Sequence, residues 1–99
     1  MGRTTDSTLR WSGVSDYVSY SSTSVQSAEV PANTYEVRLV ATTACHINIA
    51  KDPTAAATDN NGFALPAGVV EYFHVSPGEK VAVIRSADDG VLCVAFMTR

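Results

Sequence analysis

The sequence predicts an all-β fold: a small antiparallel β-sandwich or barrel of about 6–8 short strands, with an extended Ser/Thr-rich N-terminal arm. Three features of the sequence predict it. Short runs rich in Val, Ile, Tyr and Phe alternate in polarity, Gly- and Pro-containing turns separate these runs, and no segment shows the apolar period of an amphipathic helix. The length of 99 residues suits one domain with a single modest core.

The distribution of Ser and Thr divides the chain into two unlike parts. Residues 1–30 contain twelve Ser or Thr and residues 31–99 contain eight, so we predict an arm over 1–30 and a β-domain over 31–99. Large aromatic side chains interrupt the arm at Trp11, Tyr17 and Tyr20. Such rings are unusual in a flexible tail, because aromatic side chains stabilise a protein or an interface mainly when they are buried. We therefore expect the arm to dock in part, with Trp11, Tyr17 and Tyr20 as anchors that face a partner.

The second part of the chain is a series of β-rich runs. The clearest is 35–41, in which apolar residues alternate with Glu36 and Arg38, as expected of a strand with one buried face. Further runs are 44–50, 69–75, 81–85 and 91–96. The pattern predicts the core residues Tyr35, Leu39, Ile47, Phe73, Ile84, Val94 and Phe96.

Two turn sequences predict how the last three runs connect. The Pro-Gly pair at 77–78 supplies the fixed φ and the positive φ of a type II turn, so we expect a hairpin there. The Asp-Asp-Gly sequence at 88–90 is a second turn and predicts antiparallel pairing of the final two runs. Residues 52–62 are small, polar and without period, and they predict a long loop.

Charge and hydropathy disfavour several classes of function. A net charge of −3 and a pI of about 5.1 disfavour direct nucleic-acid binding, which needs clustered Lys and Arg. No apolar run approaches the roughly 18 residues of a membrane-spanning helix, and no signal-peptide pattern follows the first residues. We therefore predict a protein made in the cytoplasm without a membrane partner. Charged side chains make up only 17% of the chain, against about 25% in typical soluble domains, which favours a protein of an assembly.

The titratable residues predict no catalytic or metal site. Cys45 and Cys93 lie among Ile and Val, where a thiol behaves as a small buried hydrophobe. His46 follows Cys45 directly, and neighbouring residues of a strand point to opposite faces, so a cysteine–histidine dyad is disfavoured. His46 and His74 could meet across strands, but the further ligands of a zinc site are missing. The sequence at 59–62 lacks the ligand spacing of a calcium loop. We expect no enzyme activity and no cofactor.

Four segments carry a resemblance to a known family. They are 37–43, 45–50, 65–75 and 77–84, with the sequences VRLVATT, CHINIA, LPAGVVEYFHV and PGEKVAVI. In this order, followed by a strand over 91–96, they resemble a family of small virion proteins of tailed double-stranded-DNA bacteriophages. The resemblance covers about half to two-thirds of the chain.

The resemblance implies a non-enzymatic structural component of a bacteriophage particle. It favours a capsid decoration or cement protein that binds and stabilises capsid subunits in the virion. The partners implied are the major capsid protein or other virion subunits, together with further copies of the chain in a homo-oligomer. A head-to-tail junction or tail accessory protein is the alternative. Because aromatic rings also stack on sugars, a carbohydrate-binding module on the particle surface is a further alternative.

Overall fold

The computed structural model describes residues 9–55 and 62–98, and within them the fold is all-β, as predicted. The eight strands are β1 (Arg10–Tyr20), β2 (Val25–Gln26), β3 (Glu36–Ala41), β4 (Cys45–Ala50), β5 (Phe63–Leu65), β6 (Glu71–His74), β7 (Lys80–Arg85) and β8 (Gly90–Thr98). No helix in the described part of the chain is long and apolar enough to cross a membrane.

The strands form a sandwich of two four-stranded antiparallel sheets. Sheet A has the order β1-β8-β3-β6, and sheet B has the order β2-β7-β4-β5. Each sheet turns one face inward, so inward and outward side chains alternate along the strands. In β3, for example, Val37, Leu39 and Ala41 are buried while the residues between them are partly exposed. The core therefore lies between the sheets, and each sheet keeps one outer face.

Most of the predicted core residues lie in this core. Leu39, Ile47, Val94 and Phe96 are each exposed by 1% or less, and Phe73 packs against the core from its margin. The predictions for Ile84 and Tyr35 are wrong. Ile84 pairs with His46 on the outer face of sheet B and does not belong to the core cluster. Tyr35 is 51% exposed. It lies one residue before β3, and its ring stacks on that of His74 at the surface, with centroids 6.5 Å apart.

The two turn sequences form turns, but the predicted strand pairings are wrong. Glu79 N donates a hydrogen bond to Ser76 O (3.1 Å), and Gly78 has a φ of 89°, as expected of a type II turn. This turn joins β6 of sheet A to β7 of sheet B, and the turn before Gly90 joins β7 to β8 of sheet A. Both turns therefore pass the chain from one sheet to the other. Among the eight described strands, β4 and β5 are the only consecutive ones that pair.

The boundary predicted at residue 30 is not a structural boundary. β1 pairs with β8 from Arg10 to Tyr20, and β2 pairs with β7, so the sandwich includes the chain from residue 10 onward. Residues 1–8 of the predicted arm lie outside the described residues. The high Ser content obscured this strand because its outward positions carry Ser15 and Ser19, whereas Val18 and Tyr20 face the core.

A buried serine holds the segment after β2 against sheet B. Ser27 N donates to Val81 O (2.8 Å), and Ser27 Oγ accepts a hydrogen bond from Val81 N (2.9 Å). Ser27 Oγ in turn donates to Ala28 O (2.8 Å). The Ser27 hydroxyl thus adds one acceptor to the ladder of backbone hydrogen bonds. Its own hydrogen-bonding capacity is used although only 6% of the residue is exposed. This serine therefore takes part in the hydrogen bonding of sheet B.

Candidate functional site

The outer face of sheet A carries a shallow groove with two exposed aromatic rings. Its volume is about 310 Å³, and we call it the Trp11 groove. It is lined by Trp11, Ser15, Tyr17, Arg38, Cys93, Ala95 and Met97. Strand register brings these residues together: on β8, Met97 lies opposite Trp11 and Cys93 opposite Tyr17, while Ala95 lies between Ser15 and Arg38. The groove therefore spans three neighbouring strands, β1, β8 and β3.

A bulge in β1 positions Trp11. Between Trp11 and Ser15 the register with β8 shifts, and Gly13 within the bulge has a φ of 94°, a conformation that glycine adopts without steric cost. Trp11 Nε1 donates hydrogen bonds to Val14 O (3.1 Å) and Ser15 Oγ (3.0 Å). The one polar atom of the indole is therefore bonded to the bulge, while 58% of the residue remains exposed.

Tyr17 and Arg38 complete the rim of the groove. Tyr17 is 70% exposed, the highest value among the large apolar or aromatic side chains described, and it forms no hydrogen bond with the described residues. Arg38 likewise has no ion pair or side-chain hydrogen bond among them. The floor beneath consists of Ala95 and Met97, which are nearly buried although they face away from the core. The groove thus combines an apolar floor, two aromatic walls and one available positive charge.

Tyr20 does not belong to this site, which corrects its prediction as a partner-facing anchor. It is 3% exposed and belongs to the core cluster. Its hydroxyl donates to Thr43 O (2.7 Å) and accepts a hydrogen bond from Thr43 N (3.2 Å). A Cβ added at Gly90 would lie 2.5 Å from the same hydroxyl, so the glycine leaves space for the ring. Of the three predicted anchors, the structure places Trp11 and Tyr17 on the surface and Tyr20 inside.

The titratable residues singled out in the sequence lie apart from the Trp11 groove, except Cys93, which is half-buried in its wall. Burial raises the pKa of the Cys45 thiol to about 11, and a hydrogen bond with Tyr20 acts weakly in the opposite direction. Cys45 is therefore protonated near neutral pH. His46 Nδ1 lies 3.1 Å from Ser86 Oγ. No group of three or more metal-ligating side chains occurs among residues 9–55 and 62–98.

A second exposed apolar surface surrounds β6, and we call it the β6 patch. Its members are Phe63, Val69, Val70 and Tyr72. Phe63 is fixed by an edge-to-face contact with Phe73, with ring centroids 5.3 Å apart. Tyr72 lies opposite Arg38 in the pairing of β6 with β3, so the β6 patch adjoins the Trp11 groove at Arg38 and continues to the other edge of sheet A, while Phe63 belongs to β5 of sheet B.

A further hollow of about 500 Å³ lies beside β2, between residues 22–26 and 53–55. Gln26 Nε2 crosses to this loop and donates to Asp52 Oδ1 and Pro53 O, both at 2.9 Å. Ser24 Oγ accepts a hydrogen bond from Ala55 N (3.0 Å). These hydrogen bonds hold the loop after β4 against the segment around β2. The polar side chains of the hollow therefore have a structural role.

Sequence reasoning found the two aromatic walls of the groove but missed its floor and its charge. Arg38 was recognised as an outward residue of a half-buried strand, without a site. Alternation along the strands indicates that residues 38, 93 and 95 face outward. No local pattern shows, however, that β8 lies between β1 and β3.

Comparison of the chain with models of protein families, with curated proteins and with solved structures gave no match.

Proposed function

We propose that the protein is a non-enzymatic structural component of a bacteriophage particle, a capsid decoration or cement protein that binds and stabilises capsid subunits. Two lines of argument support this proposal. The first is the resemblance of residues 37–43, 45–50, 65–75 and 77–84 to small virion proteins. The second is the series of exposed aromatic and apolar side chains on the sandwich, from the Trp11 groove to the adjoining β6 patch.

The observation that carries the proposal is the placement of the Trp11 groove and the β6 patch. Trp11 and Tyr72 lie on the opposite outer strands of sheet A, whose axes are about 14 Å apart across three strand spacings, and the two surfaces adjoin where Arg38 pairs with Tyr72. Exposed aromatic and branched apolar side chains in contiguous patches mark interaction surfaces. A protein that holds two neighbouring subunits together needs two such surfaces that can be engaged at the same time.

The mechanism of a cement protein is mass action. Ligands that bind the assembled state and not the dispersed subunits stabilise assembly by an amount set by their concentration and affinity. When one sandwich bridges two capsid subunits, separation of those subunits also breaks a contact with the sandwich. The low share of charged side chains, 17%, lowers the desolvation cost of both contacts.

Quantitative analysis of the proteins in purified particles tests the proposal. A copy number proportional to that of the major capsid protein is expected of a cement protein. Absence of the chain from the particle would overturn the proposal. Particles that lack the chain should disassemble at a lower temperature, and addition of the purified protein should restore the original value.

The same two surfaces also suit the alternative of a head-to-tail junction or tail accessory protein. The Trp11 groove and the β6 patch differ in composition, so contact between them in successive copies would be heterologous, and heterologous contacts form a ring when the rotation between copies closes. A copy number equal to one ring per particle, instead of one matched to the capsid, would decide in favour of this alternative.

A further inference from the structure

We propose that the Trp11 groove binds an extended polypeptide segment of a partner protein, a segment that carries a carboxylate side chain among apolar ones. This inference rests on the proposed function and names the chemistry of the partner that the groove accepts. Four properties of the groove carry it: a fixed indole, the composition of the walls and floor, the unpaired charge of Arg38, and the size of the face.

The indole of Trp11 is ordered before any ligand arrives. Its Nε1 is held by Val14 O and Ser15 Oγ, so the ring presents its apolar surface and no free donor. A side chain that is already fixed loses little conformational entropy on binding, which favours affinity. The bulge with Gly13 at a φ of 94° is the backbone feature that permits this arrangement.

The composition of the groove matches a protein partner better than a saccharide. Trp, Tyr, Arg and Met are the residues enriched at the centres of protein interfaces, and Trp11, Tyr17, Arg38 and Met97 all line the groove. A sugar needs many hydrogen-bond partners, but the floor is formed by Ala95 and Met97, which offer few. An apolar side chain flanked by the aromatic walls is better accommodated by this floor.

The charge of Arg38 determines which kind of partner segment the groove binds. Within the described chain Arg38 has no ion pair, although the protein as a whole carries a net charge of −3. A guanidinium beside aromatic rings is well suited to a carboxylate, to which it can donate two parallel hydrogen bonds. Glu36 lies on the same outer face opposite Met97, whereas Arg38 lies two residues further along β3, opposite Ala95. We therefore place the carboxylate of the partner segment at Arg38.

The size of the face favours a segment over a second copy of the whole chain. The groove crosses three strands about 4.8 Å apart, a width of roughly 10 Å that one extended segment can cover. A standard stable interface needs about 800 Å² from each partner. An extended segment can run along β1 and β8 and use the groove fully without further contact area.

Selection from a library of short random linear peptides displayed on yeast tests this inference. The baits are the full-length protein, its Arg38→Glu variant, and Lys51→Glu, a matched control that reverses the charge of an exposed residue outside the groove. We expect the wild type and Lys51→Glu to enrich peptides that combine Asp or Glu with apolar residues. Arg38→Glu should enrich peptides that contain Lys or Arg instead.

Affinities of the selected peptides can be measured directly, because Trp11 is the only tryptophan of the chain. Its fluorescence should change on binding, and Tyr17→Ser should weaken binding by about tenfold or more. Identical selections with the wild type and Arg38→Glu, or no enrichment at all, would overturn the inference. Saturable binding to a glycan array that Tyr17→Ser abolishes, or a dimer that Arg38→Glu dissociates, would overturn it in favour of those occupants.

The outcome is separable from that of the proposed function. If the wild type and Arg38→Glu attach to particles equally well, the partner chemistry inferred here is wrong and the virion role stands. If the chain is absent from particles while the peptide selection depends on the charge at residue 38, the virion role is wrong and the groove remains a site for acidic segments.

Discussion

The two halves of β1 lie in different environments. The C-terminal half is tied to the sandwich: Val18 and Tyr20 enter the core, and Asp16 Oδ2 accepts a hydrogen bond from Ala28 N (2.8 Å) beside the strand. The N-terminal half bulges at Gly13 and exposes Trp11 and Val14. One continuous strand therefore contributes stability at one end and an interaction surface at the other.

The difference teaches that aromatic residues close in sequence can have unrelated roles. Tyr17 and Tyr20 are three residues apart and have opposite parity in β1, so one is 70% exposed and the other 3%. Substitutions of inward and outward side chains of β1 should therefore separate: loss of the Tyr20 ring should lower stability, and loss of the Trp11 and Tyr17 rings should lower binding.

Substitution of Tyr20 should have the largest effect on stability. Tyr20→Ala removes a buried ring and its hydrogen bonds with Thr43, so we expect the free energy of unfolding to fall by about 3–5 kcal/mol. Urea denaturation followed by circular dichroism measures this value. Tyr17→Ala is the matched control at the exposed position, and an equal loss in both variants would contradict the division of β1.

The Cys45 thiol, which is hydrogen-bonded with Tyr20 of β1, makes the stability of the protein sensitive to alkaline pH. Burial raises the pKa of Cys45 to about 11 in the folded protein, whereas a thiol in an unfolded chain has a pKa of about 8.5. The unfolded state thus loses its proton first, and this one group lowers the free energy of unfolding by roughly 1 kcal/mol per pH unit between these values. Below about pH 8 the contribution of Cys45 is constant.

Comparison with Cys45→Ala isolates this effect from the titration of other groups. The variant loses the stabilising burial of sulfur at every pH, but its stability should decline less steeply above pH 9 than that of the wild type. Parallel stability profiles for the two proteins between pH 8 and 11 would show that Cys45 titrates alike in the folded and unfolded states. Denaturant titrations at a series of pH values provide the measurement.

A smaller effect is expected at Gly13 in the bulge. A Cβ added there meets no atom within 4 Å, so Gly13→Ala adds no clash, but the φ of 94° is unfavourable for alanine. We expect a loss of about 1–2 kcal/mol in the free energy of unfolding, together with a shift in the fluorescence of Trp11 as the bulge adjusts. An unchanged fluorescence spectrum in the folded variant would show that the bulge does not position the indole.

The smallest effect on stability should come from the walls of the groove. Trp11→Ser combined with Tyr17→Ser should change the free energy of unfolding by about 0.5 kcal/mol or less, because both residues are mostly exposed. The same double variant should lose attachment to particles in a sedimentation assay. Full attachment by the folded double variant would remove the Trp11 groove from the proposed function.

Local sequence patterns predicted five of the eight described strands, β3, β4, β6, β7 and β8, because alternation is a property of a few neighbouring residues. The run at 35–41 corresponds to β3, and its inward residues Val37 and Leu39 are fully buried. The same patterns did not predict which strands pair. The Pro-Gly turn at 77–78 defines a bend with Gly78 at positive φ, and such a bend can join strands of one sheet or of two.

The candidate site was predictable only in part for the same reason. Trp11, Tyr17 and Tyr20 were all predicted to face a partner, because the Ser-rich background gave no sign of which face of β1 is buried. Trp11 lies on the other side of the bulge. Because the register shifts there, alternation along the strand does not predict which way Trp11 faces. Arg38 joins the groove solely through the order of strands in sheet A, a long-range property.

The position of β8 has a consequence for biosynthesis. It is the last of the eight strands to leave the ribosome, yet it lies inside sheet A and pairs with both β1 and β3. β1 therefore has no neighbour in its sheet until residues 90–98 have emerged, and the long separation in sequence makes that pairing slow. We expect nascent chains that end at Arg85 to be digested by protease while chains that include β8 resist it, because β1 gains its sheet partner only with residues 90–98.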